Sequence, residues 1–135
     1  MQSMDTTRKT LFRMTALIEG GAGLALVLWP SATVMLLLGS SLDGPAGFVL
    51  GRIAGAALLA LAMACWVARD DGESRAAAGL ILAVLLYNCA AVLFFTIAGV
   101  SSGLVGIALW PAVVLHAAMA VWCIARVRTR PHANS

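Results

Sequence analysis

A carboxylate, Glu19, and a guanidinium, Arg52, lie well inside apolar stretches of the chain. The other charged side chains sit at the ends of those stretches or in the connections between them. A charge at the centre of a bilayer costs ~2.5–3.5 kcal/mol even on lenient insertion scales, so it must be paired, protonated or put to use. The neutral polar groups able to answer it are Tyr87 and Asn88 on one stretch and His116 on another. Glu19, Arg52, Tyr87, Asn88 and His116 are therefore the candidate intramembrane polar network or ligand pocket, with Glu19 as a proton or cation site. The structural reading of the same residues is a satisfied hydrogen-bond network that decides which helices meet.

Several chemistries lack the residues they need. The other histidine, His132, is in the tail, so His116 has no second imidazole with which to hold a metal or haem. Cys65, Cys89 and Cys123 fall on separate stretches without a C-x-x-C pair, whereas thiol exchange needs paired sulfurs. They read as small apolar packing residues. There is no Gly-rich phosphate loop. No metal, cofactor or catalytic residue is assigned from the sequence.

The elements that must position these groups are membrane helices. The 135 residues are 61% hydrophobic with a mean hydropathy of +0.95, well beyond a soluble domain. A spanning helix needs ~20 mostly apolar residues, and four stretches qualify: 11–29, 45–68, 76–100 and 104–125. The apolar runs do not alternate, so strands are a poor alternative. The fold class is all-α: a polytopic membrane protein, 1–135 as one domain, forming a four-helix up-down bundle. Pro30 suits a first helical turn and predicts a short extra helix over 30–38, the alternative being one kinked first helix reaching Leu38. The first stretch, interrupted by Glu19 and glycines, reads as a retained helix rather than a signal peptide. Residues 126–135 read as a loose polar tail.

Charge placement orients the bundle. Arg8, Lys9, Arg13, Arg69, Arg75, Arg126, Arg128 and Arg130 all fall on one side after four crossings, and the opposite connections hold no Lys or Arg. By the positive-inside rule both termini are cytoplasmic. Flanking cations meet anionic headgroups, so the expected partner is the lipid bilayer and not nucleic acid. A rise of ~1.5 Å per residue places Glu19 roughly 12 Å above the cytoplasmic end, His116 roughly 14 Å, Tyr87 and Asn88 roughly 17 Å, and Arg52 roughly 24 Å.

Gly47, Gly51 and Gly55 repeat every four residues, and Ala16, Gly20 and Gly23 offer a matching stripe on the first helix. Such stripes let helix backbones approach closely, within the bundle or between copies, so a homo-oligomer or another membrane protein is a candidate partner. Trp29, Trp66, Trp110 and Phe12 fall near the expected interfaces, where amphipathic rings anchor.

Glu19-Gly20, Pro30 followed by Leu36-Leu37-Leu38-Gly39, Arg52-Ile-Ala-Gly55, Trp66-Val-Ala-Arg69 and Leu86-Tyr87-Asn88 together resemble the small four-helix bacterial membrane proteins grouped as DoxX-like. The resemblance implies a bacterial inner-membrane protein, sometimes an accessory subunit of membrane redox complexes, and carries no catalytic residues. Glu19 also occupies a place similar to the essential first-helix glutamate of the small multidrug exporters. The chain departs from them in its Leu-Ile and Gly-Gly flanks, in Arg52 and in its few aromatic residues.

The leading functional expectation is a non-enzymatic accessory protein that binds a partner, a lipid or a small apolar ligand. The alternatives are a small proton-coupled transporter centred on Glu19 and a membrane enzyme using Glu19 and His116 as acid and base.

Overall fold

The computed structural model describes residues 2–71 and 74–128, with side chains from Thr6 onward. Glu73, Arg130 and His132 lie outside the described residues. The order is α1 (Gln2–Leu28), α2 (Pro30–Leu38), α3 (Gly44–Ala68), α4 (Arg75–Ser101) and α5 (Leu109–Arg128). Among the described residues there is no strand. α1, α3, α4 and α5 are long and apolar enough to cross a membrane, so the chain is a multi-pass membrane protein built as a four-helix bundle.

Each boundary has a local cause. A residue before proline is pushed out of the α region, and Trp29 adopts φ −133°, ψ 62° ahead of Pro30. That break makes α2 a separate helix instead of a continuation of α1. α2 ends on Gly39, whose φ of 73° is left-handed and whose N–H closes on the Met35 carbonyl at 2.8 Å. Pro45 occupies the first turn of α3. Ser74 caps α4, its hydroxyl accepting from the Ala77 N–H at 3.0 Å.

The last helix departs from its sequence reading. It spans Leu109–Arg128 rather than 104–125. Residues 104–108 instead form a strap over the end of α2, where the Ala108 N–H donates to the Leu36 carbonyl at 3.0 Å. The contact is close enough that a Cβ on Gly106 would collide with the Leu37 carbonyl. Hydropathy is the same for an apolar strap and an apolar helix, and a hydrogen bond to another element decides between them. Pro111, in the first turn of α5, marks the true start. At the other end α1 begins at Gln2, well before the apolar stretch.

The bundle is two tight helix pairs, α1 with α3 and α4 with α5, joined across a wider seam. Gly23 and Gly55 make the first pair tight: a Cβ on either would sit 2.7 Å from the other's carbonyl oxygen. Gly20 makes ordinary contact with Ala62. Gly47 and Gly51 do not meet a helix backbone; Gly47 faces Leu42, and Gly51 faces Leu42 and Pro30, seating the α2–α3 connection.

The apolar core lies in the half of the bundle nearer the termini, built from residues such as Leu11, Phe12, Ile81, Val84, Met119 and Cys123. Phe12 is fully buried there and is not an interface anchor. Its position on α1 directs it into the seam, where filling the wider gap between pairs takes a large side chain. Trp29, Trp66 and Trp110 remain outside. Leu86, Phe94 and Val100 are among many large apolar side chains left exposed on the bundle. Lipid solvates such a surface without penalty.

Candidate intramembrane polar site

The seam between the helix pairs holds the buried polar groups. Glu19, on α1, is 3% exposed. The Tyr87 side chain of α4 is within hydrogen-bonding reach of its carboxyl. The next residue, Asn88, is 1% exposed and turns to α5. Its side-chain amide donates to the Val84 carbonyl one turn back at 2.8 Å, and its Oδ1 lies 2.8 Å from His116 Nδ1.

That arrangement assigns the imidazole. The Asn88 amide nitrogen is occupied by Val84, so Oδ1 accepts and His116 Nδ1 carries the donated proton. The edge of the Tyr87 ring meets the His116 ring at 5.6 Å and 81°. Phe95 packs on the same imidazole at 5.9 Å. Tyr87 thus stands between Glu19 and His116, and the consecutive pair Tyr87-Asn88 joins α1, α4 and α5. Adjacent helical residues point about 100° apart, which lets one dipeptide serve two neighbours.

Arg52 is not part of this cluster. Its side chain is exposed on α3, and it has no hydrogen bond or ion pair with another described residue. A long apolar stem lets such a guanidinium run along the bundle surface toward headgroups. Four of the five polar candidates therefore meet, and the fifth does not.

Two further interior groups lie beside Glu19. Thr15 lies one turn from Glu19 on the same face of α1, fully buried, and its hydroxyl has no hydrogen-bond partner among the described residues. Cys65 of α3 is fully buried and within electrostatic reach of Glu19. The four-residue spacing of Thr15 and Glu19 was the available signal for Thr15. Cys65 and Cys123 are buried, Cys89 is exposed, and all three are free thiols. Among the described residues no three His, Cys, Asp or Glu side chains group as a metal site.

No family pattern, curated protein or solved structure matches this chain.

Proposed function

We propose that this chain is a non-enzymatic protein of the bacterial inner membrane, with both termini cytoplasmic, that works by binding another component of the bilayer. The supporting observation is how the interior polar groups are used. Tyr87 serves Glu19, and Asn88 serves Val84 and His116. A nucleophile or acid–base pair is normally aimed at a site for a reacting atom; these groups are aimed at one another. The polar seam then holds two helix pairs in one register, and binding falls to the outer surface. The DoxX-like resemblance and the one-sided basic flanks favour the same reading.

The test is reconstitution in liposomes with an internal pH dye. Wild type and Glu19→Gln should show the same background proton permeability and both remain folded. Proton flux in wild type that Glu19→Gln abolishes would overturn the reading in favour of transport. One observation supports that second reading: Thr15 adds an unpartnered buried hydroxyl beside a buried carboxyl. Two such groups one turn apart suit a proton or small cation passing along α1.

A further inference from the structure

A groove of about 200 Å³ opens on the outside of the α1–α3 pair, lined by Ala16, Leu17, Leu59, Ala62, Met63 and Trp66. Small residues make its floor: Ala16 and Ala62 are buried. Large ones make its walls, with Leu17 65% and Met63 63% exposed. A slot this apolar takes hydrocarbon and offers nothing to a polar solute.

The end of the groove near the termini is cationic. The antiparallel register that sets Gly20 on Ala62 brings Trp66 alongside Ala16 one turn on, and Arg69 alongside Arg13. Arg13 precedes Leu17 by one helical turn, is exposed, and has no hydrogen bond or ion pair among the described residues. Arg69 is held at the mouth by its neighbours. Its guanidinium lies 4.2 Å from the Trp66 ring centre, donates to the Trp66 carbonyl, and pairs with Asp70 at 3.2 Å. Lys9, a turn below Arg13, reaches the same Asp70 at 3.6 Å. Asp70 is thus shared by Arg69 and Lys9, and Arg13 is the cation at this mouth left uncommitted among the described residues.

We infer that this groove is a binding site for an anionic phospholipid, one acyl chain lying between Leu17 and Met63 and the headgroup phosphate meeting Arg13 and Arg69. The inference rests on the reading that the protein binds a bilayer component, and it names that component's class. The charge complementarity selects the occupant. A second copy of this chain would bring its own cations to the same mouth, and a zwitterionic lipid would bring a headgroup cation beside its phosphate, against Arg13 and Arg69. Arg is suited to the role because its planar fork binds phosphate through two parallel N–H donors.

The experiment is native mass spectrometry of the protein released from mixed micelles holding equal phosphatidylglycerol and phosphatidylcholine. Wild type should retain phosphatidylglycerol preferentially. Arg13→Gln should cut that preference about fivefold, the effect of one cation beside an anionic headgroup. Leu17→Ala with Met63→Ala should lower retention of both lipids, since these exposed walls carry no packing of the bundle. Arg52→Gln, distant from the groove, should change nothing. Inorganic phosphate should not displace the lipid, which separates headgroup capture from free-anion binding. Equal retention of the two lipids, or equal loss in Arg13→Gln and Arg52→Gln, would mean annular lipid only and would overturn the site. Those outcomes leave the proton-flux comparison untouched, so the two readings fail separately.

Discussion

Gly23 and Gly55 face each other across α1 and α3 so closely that a methyl group on either would meet the other's carbonyl oxygen at 2.7 Å. The approach is backbone against backbone, and neither side has a flexible atom to move aside. Leu26 and Val27, also of α1, stand 2.9 Å from the same Cβ position on Gly55. Gly55→Ala should therefore destabilise the protein by about 1–3 kcal/mol, the usual cost of overpacking. Gly79→Ala, where nothing lies within 4 Å on α4, should instead stabilise by up to about 1 kcal/mol through helix propensity. Thermal unfolding in one detergent checks both, and equal effects at the two positions would contradict the close crossing.

Asn88 and His116 form a hydrogen bond between α4 and α5. A double-mutant cycle with Asn88→Ala and His116→Ala should give a coupling of about 0.6–1.7 kcal/mol, the range found for interhelical hydrogen bonds in membranes. A coupling of zero would mean that the two side chains stabilise the protein independently.

Tyr87 is the phenol that answers Glu19. Tyr87→Phe leaves a buried carboxyl without that donor, and the cost of orphaning a buried polar group is about 1–3 kcal/mol. Glu19→Gln keeps an acceptor oxygen for the same hydroxyl and should cost less. Unfolding midpoints in the order wild type, Glu19→Gln, Tyr87→Phe are expected; the reverse order of the two variants would show that Tyr87 does not serve Glu19.

Arg52 and Glu19 should behave as strangers. With Arg52 exposed and unpaired among the described residues, the effects of Arg52→Gln and Glu19→Gln should add to within about 0.5 kcal/mol, as for independent sites. Chemical denaturation of the two single variants and the double variant reads this directly. A larger coupling would mean that the two side chains interact.

The strap over α2 offers a sharper perturbation. A Cβ at Gly106 would collide with the Leu37 carbonyl carbon and oxygen, so even Gly106→Ala must break the contact and with it the Ala108–Leu36 hydrogen bond. Hydrogen exchange at the Ala108 amide should accelerate while that of α4 amides such as Val84 stays slow.

Much of this architecture is written in short-range chemistry. Spans of apolar residue ~20 long admit only helices in hydrocarbon, because every backbone N–H and C=O must be satisfied within the segment. Pro30 forces the break that makes α2, and Ser74 and Gly39 close helix ends by their own side chain and backbone freedom. The heights of Glu19, Asn88 and His116 also follow from residue count alone, since an α-helix rises by a constant step. Residue count alone therefore puts these groups on one level.

Direction around the helix axis is another matter, and there only the tertiary structure decided. Arg52 and Glu19 are equally charged intrusions into apolar sequence, yet one is exposed and the other 3% exposed. The hydrophobic periodicity that reveals a buried face in water is lost in lipid, where both faces are apolar. By sequence Phe12 reads as an interface ring, yet it is buried in the core, and 104–108 reads as helix, yet it is a strap. Both turn on which neighbour is adjacent. Composition and spacing set the class, the spans and the depths. The pairing of helices set which polar groups meet, because close approach at Gly23 and Gly55 rotates α1 and α3 into the one orientation that presents Glu19 to Tyr87.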